Sequence, residues 1–147
     1  MQFRTLAITT ALSALALGAC ASAPRIPAEQ RLSIYEEAAG DPVPSFRYFG
    51  SINGWTALDD GHIALWTRAQ EAWLLSFHGR CKDVEWASVI SVTDQAGRVY
   101  AGTDKVVAHG SGADGFPCRI REIRPLDTAK IRTAEQQARD GAQASGT

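Results

Sequence analysis

The sequence predicts a mainly β, α+β domain, in which a small antiparallel sheet curls into a barrel or sandwich between a short N-terminal helix and a C-terminal helix. Three observations carry this. Apolar residues alternate at period two through residues 62–67 and 71–77, where Ile63 and Leu65 alternate with Ala64 and Trp66, and Trp73, Leu75 and Phe77 follow in turn. Turn-forming residues interrupt the apolar runs at short intervals, and no helices alternate with the strands as a parallel sheet would require. With 45% hydrophobic residues in a chain of 147, there is enough apolar material for one packed core.

The first segment lies outside that core. Arg4 precedes an uncharged, mostly apolar stretch from Leu6 to Ala19, which ends in Gly18 and Ala19 just before Cys20. Fourteen residues of helix reach only about 21 Å, short of a hydrocarbon core of about 30 Å, so residues 1–19 read as an export signal and not as a membrane span. Leu17-Gly18-Ala19-Cys20 resembles the lipobox of bacterial lipoproteins, in which the cysteine thiol takes a diacylglycerol before cleavage. The resemblance implies a chain held in the membrane by acyl chains on Cys20, since two or more chains anchor stably where one does not. Ala21-Ser22 lacks the aspartate of an inner-membrane retention signal, which by the same analogy favours the periplasmic face of the outer membrane.

Small, polar and proline-bearing residues at 20–27 read as a lipidated tether, and residues 28–139 as a single globular domain. Residues 28–39 place Leu32, Tyr35 and Ala39 on one helical face, with Gly40-Asp41-Pro42 as the stop. A strand is expected over residues 46–52, ending at the turn dipeptide Asn53-Gly54, and another over 55–58 before Asp59-Asp60-Gly61. Residues 62–67 and 71–77 form the clearest hairpin, with Trp66 and Trp73 flanking its loop. Residues 88–93 and 98–102 flank Asp94-Gln95-Ala96-Gly97 as a further hairpin, residues 106–108 extend or restart that strand, residues 110–115 form a flexible loop, and 118–124 is the last strand. Asp127 is placed to cap a final helix, with Leu126 and Ile131 as its hydrophobic staple. Residues 140–147 read as a disordered tail.

The cysteines constrain the compartment and the fold together. With Cys20 lipidated, Cys81 and Cys118 remain as an even pair in an oxidising space, and are expected to bond. No CxxC is present, and His62, His78 and His109 have no ligand spacing relative to the cysteines, so neither a metal site nor a cofactor is expected. The 15 basic and 16 acidic residues give a net charge of −1, which argues against a nucleic-acid partner.

The segments Gly54-Trp55-Thr56-Ala57-Leu58-Asp59-Asp60, Ile63-Ala64-Leu65-Trp66-Thr67-Arg68 and Glu71-Ala72-Trp73-Leu74-Leu75, with the closing Cys118-Arg119-Ile120, resemble a family of small proteobacterial lipoproteins catalogued only as a domain of unknown function. The likeness covers roughly residues 45–125 and implies an exported, disulfide-bearing domain. It brings no activity, cofactor or catalytic residue.

Candidate chemistry is therefore weighed residue by residue. Asp59, Asp60 and His62 could do acid–base work, joined by Arg119 or Arg121, but aspartates before Gly61 are also ordinary turn residues. No catalytic residue is assigned. Trp55, Trp66, Trp73 and Trp86 fall within 32 residues; most are expected in the core, with Trp55, Trp66 and Trp73 as candidate binding residues. Arg119 and Arg121 share a strand face and could meet a carboxylate or phosphate, or simply solvate a sheet edge. The expectation is a non-enzymatic envelope lipoprotein that binds an envelope protein or glycan. An inhibitor of a periplasmic hydrolase such as lysozyme is the first alternative, and a small enzyme using Asp59, Asp60 and His62 the second.

Overall fold

A computed structural model describes residues 25–110, 115 and 117–145; the expected export signal, Cys20 and most of the glycine-rich loop lie outside the described residues. Three helices and eight strands follow in the order α1 (Ala28–Glu37), β1 (Ser45–Arg47), β2 (Gly54–Asp59), β3 (His62–Arg68), β4 (Glu71–Phe77), α2 (Asp83–Trp86), β5 (Val89–Val92), β6 (Arg98–Tyr100), β7 (Lys105–His109), β8 (Cys118–Leu126) and α3 (Thr128–Ala144). The predicted mainly β class with flanking helices is what the chain adopts.

Six strands form one antiparallel sheet in the order β2-β3-β4-β8-β7-β5, curled into a half-barrel. The curl turns on β8. Its first two residues pair with β7, Cys118 with Val106 and Arg119 with Lys105, while residues from Ile120 to Leu126 pair with β4. The remaining strands, β1 and β6, pair with each other as a separate two-stranded ribbon.

Both faces of the sheet are covered around β3 and β4. Ile63 and Leu65 of β3, Leu75 and Phe77 of β4, and Ile120 and Ile123 of β8 pack on one face with Phe46 and Val99 of the ribbon. Ala64, Ala72 and Leu74 point to the other face, where Tyr35 and Ala38 from α1 and its end, and Ile131 of α3, cover them. The small residues Ala64 and Ala72 let the helices lie close. Alternation in β3 and β4 therefore sorts residues between two cores, where a sheet with one solvated face would sort core from solvent.

The C-terminal helix begins as its residues dictate. The Asp127 side chain accepts from the backbone N–H groups of Ala129 and Lys130, both at 3.0 Å, and Leu126 and Ile131 are buried in the same cluster. It runs on to Ala144, so residues 140–144 are helical where composition reads as a tail; alanine and glutamine continue a helix well, and Gln136 Nε2 donates to Asp140 Oδ1 across one turn at 2.9 Å. The tether also ends earlier than expected, because Ile26 is buried and residues 25–27 already belong to the folded body.

Strand partners differ from the local reading in three places. Residues 46–52 do not form one strand: Gly50 takes φ +77° and bends the chain, leaving only β1. Gly54 opens β2 instead of making a turn, with the Asn53 N–H donating to the Trp66 carbonyl. The third is the expected hairpin at 88–102. Ala96 and Gly97 do form a tight two-residue turn with φ of +51° and +77°, closed by a bridge between Gln95 and Arg98. Beyond it the strands separate, β5 to β7 and β6 to β1, because Val99 reaches the core only opposite Phe46. Buried Asp104 holds the fork, accepting from the Thr93 hydroxyl at 2.8 Å and from the Tyr100 N–H at 2.7 Å.

Cys81 and Cys118 are disulfide-bonded, tying the segment after β4 to the start of β8, with a Cα–Cα distance of 5.8 Å. Replacing both cysteines by serine should lower the unfolding free energy by roughly 4 kcal/mol through the freed loop entropy, read as an earlier urea midpoint that reductant shifts only in the native chain. Asp127→Ala should cost about 1 kcal/mol in the same measurement. An unchanged midpoint in either variant would contradict the role given to that residue.

Candidate functional site

Two adjoining concave features lie along β2, an edge strand of the six-stranded sheet, where the chain enters α1. One cleft of about 680 Å³ runs beside Asn53, Gly54, Trp55 and Thr56 and is walled by Arg25, Arg31, Tyr35, Trp66, Glu135 and Arg139. A second, of about 640 Å³, continues along Ala57, Leu58, Asp59 and Asp60 and shares Arg25, Ile26 and Arg31 with the first. Together they follow the whole strand.

The walls come from three distant parts of the chain. Arg31 and Tyr35 stand one helical turn apart on α1, Glu135 and Arg139 one turn apart on α3, and Trp66 faces them from β3. The Tyr35 hydroxyl donates to Glu135 Oε1 at 3.1 Å, and Arg139 Nη2 donates to Glu135 Oε2 at 3.3 Å. The Trp66 and Tyr35 rings meet edge to face at 6.0 Å and 86°. Arg31 Nη2 donates to the Ile26 carbonyl at 3.2 Å, which pins the entering chain over the cleft. Arg25 has no ion pair among the described residues. Three guanidinium groups thus face one carboxylate that is already engaged twice, and the first cleft carries a positive excess. The second is more acidic, with Asp59, Asp60 and Glu85 on its wall.

Burial and the neighbouring Glu135 charge raise the ionisation of Tyr35 well above the usual tyrosine value of 10.0, and burial followed by the charge of Asp94 raises Tyr48. Both hydroxyls therefore stay protonated in the folded chain at pH values where free tyrosine ionises.

The chain belongs to a family of unknown function, DUF6491. The family model matches residues 2–142, almost the entire sequence. No curated protein and no solved structure matches the chain.

Against this frame of residues the expected sites separate. Trp55 and Trp66 both line the first cleft, from opposite faces of the sheet: Trp55 pairs with Leu65 and packs on the ribbon-side core, whereas Trp66 lies opposite Gly54 on the helix side. Trp73 lines neither cleft. It stacks on Phe46 at 4.9 Å and 14°, and its register partners are Leu65 and Pro125, so Trp66 and Trp73 project from opposite faces and do not pair across their loop. Trp86, on α2, is 73% exposed and lies outside both clefts.

Asp59, Asp60 and His62 hold the β2–β3 turn together. Asp59 Oδ1 accepts from the Gly61 N–H at 2.7 Å and lies 2.9 Å from His62 Nδ1, and Asp60 is bound by both Arg80 Nε and Arg80 Nη2. Arg119 and Arg121 are exposed on β8, line neither cleft and do not join them. Nor is β8 an edge; it lies between β4 and β7, and Arg119 stands opposite Lys105. Among the described residues no group of three or more His, Cys, Asp or Glu is arranged to hold a metal ion.

Sequence reasoning passed over Arg25, Arg31, Tyr35, Glu135 and Arg139 as site residues. The only local signal is the spacing of Arg31 with Tyr35 and of Glu135 with Arg139, which puts each pair on one helix face but does not bring the helices together.

Tyr35→Phe removes one of the links between α1 and α3 and should destabilise the domain by about 1.5 kcal/mol at neutral pH. Because the folded state retains the Tyr35 proton while the unfolded chain loses it near pH 10, native stability should be complete below that pH and fall above it. The decline should be shallower in Tyr35→Phe, with Tyr48 supplying part of what remains. Denaturant titrations between pH 8 and about pH 11 read both slopes, and superimposable slopes would refute the assignment.

Proposed function

We propose that this chain is a lipid-anchored envelope protein whose folded domain acts as a binding module, with the cleft along β2 as its ligand site. The observation that carries the reading is the cleft itself: two indoles and three arginines from separate elements gather around one concavity at a sheet edge. Pockets of this size that combine aromatic walls with a few converging polar groups are the usual form of small-ligand sites.

The anchor and the cleft support one another. Four residues separate Cys20 from Arg25, a Cα–Cα span of at most about 18 Å when fully extended. An acylated Cys20 would keep the cleft mouth near the bilayer and present it to envelope components. A binding role also suits the turn residues: Asp59 and Asp60 are engaged by Gly61, His62 and Arg80, and they are assigned here to holding the turn. Among the described residues no helix is long and apolar enough to cross a membrane, so the proposed attachment rests on Cys20.

Two measurements test the reading separately. Palmitate fed to the native host should label the chain, and Cys20→Ser should abolish the label and release the protein from the membrane fraction; an unlabelled native chain would overturn the anchor. Envelope extract should change the indole emission of the native chain saturably, and Trp66→Ala should weaken that response about tenfold or more. An identical response from Trp66→Ala would overturn the cleft as the site.

A further inference from the structure

Gly54 is a strand residue whose identity the fold does not explain. Its φ lies outside the left-handed region, so the backbone does not require glycine, and a Cβ placed there would meet nothing within 4 Å. Glycine inside a strand is unfavourable relative to residues with side chains, and it often marks a place where a ligand or another backbone approaches closely. Gly54 is paired directly with Trp66. Directly opposed residues carry their Cβ atoms about 5 Å apart, so any side chain at this position would lie against the indole. Its absence leaves the space beside Trp66 open, inside the wall of the first cleft.

From this we infer that the cleft takes an acidic saccharide, a sugar ring bearing a carboxylate. The inference deepens the binding reading above and rests on it. The ring stacks on Trp66 in the gap left by Gly54, since an indole offers a broad apolar face to the C–H face of a pyranose. The carboxylate is received by the guanidinium groups of Arg25 and Arg31, which match a planar two-oxygen anion and have no carboxylate partner among the described residues. Asn53 and Glu135, on the same wall, offer a donor and acceptor and a pure acceptor to ring hydroxyls. A phosphate headgroup at the bilayer would use the arginines, yet it would leave the indole wall, Asn53 and the gap at Gly54 without a role. A neutral sugar would leave the guanidinium groups without one.

The test uses the full chain purified in detergent, titrated with N-acetylmuramic acid, with N-acetylglucosamine as the same ring lacking the carboxylate, and followed by calorimetry and indole emission. N-acetylmuramic acid should bind at least about tenfold more tightly than N-acetylglucosamine, and Arg25→Gln should narrow that ratio by weakening the acidic sugar more than the neutral one. Gly54→Val should fill the gap and weaken both sugars about tenfold or more with an unfolding midpoint no lower than that of the native chain, which distinguishes a blocked site from a damaged fold. Trp66→Ala gives the second measure of the platform.

Equal binding of the two sugars, equal displacement by inorganic phosphate, or full affinity in Gly54→Val would each overturn the proposal. Vesicles containing an anionic phospholipid, bound in a Trp66-dependent way while N-acetylmuramic acid is not, would overturn the saccharide but leave the binding module standing. No response to sugars, vesicles or envelope extract would remove both.

Discussion

The organisation of this domain depends on burying two faces of one strand pair. β3 and β4 carry apolar residues at almost every position, so neither side of their hairpin can face water. Ile63, Leu65 and Leu75 demand one cover and Ala64, Ala72 and Leu74 another, and the chain supplies the ribbon β1–β6 for the first and the helices α1 and α3 for the second. Removing water from these surfaces is the main favourable term available to a domain of this size. The disulfide at one end of β4 and the Asp104 junction near β6 and β7 hold the ribbon-side cover in place.

A covered sheet still ends somewhere, and the cleft is the consequence. α1 and α3 reach across the helix-side face and meet through Tyr35 and Glu135 and through Lys130, whose Nζ donates to the Glu37 carbonyl. Arg124 fixes the exit of α1 to β8, its Nε donating to the Gly40 carbonyl at 2.7 Å and its Nη2 to the Ala39 carbonyl at 3.2 Å. These contacts fix α1 to α3 and to β8, and α1 lies alongside β2 at the margin of the sheet. A concavity therefore forms between the strand and the chain entering α1, and its charge is set by whichever residues the helices carry on that side. The helices bring Arg31, Glu135 and Arg139 there, and the chain entering α1 adds Arg25.

Legibility varied with the range of the interaction. The hairpin of β3 and β4 was readable because period two persists through both strands and a short loop closes them, and α3 was readable at its start because Asp127, Leu126 and Ile131 act within one turn of each other. The pairing of β6 was not. Its local sequence favours a hairpin with β5, and the turn at Ala96-Gly97 does form, but Val99 finds its partner at Phe46, more than fifty residues back. The two candidate tryptophans of the cleft were legible as aromatic residues and indistinguishable in sequence from Trp73, which is packed beneath Phe46.

The sequence by itself determined the β3–β4 hairpin, the starts of α1 and α3, the cap on α3, the pairing of its two later cysteines and the mainly β class, because each follows from periodicity, from contacts within a few residues, or from there being only two thiols to join. Tertiary structure alone decided that Arg25, Arg31, Tyr35, Trp66, Glu135 and Arg139 share a wall, and that Gly54 leaves room among them. The physical reason is that a concave site is made by surfaces from separate elements, and its position depends on how those elements share the burial of a common sheet.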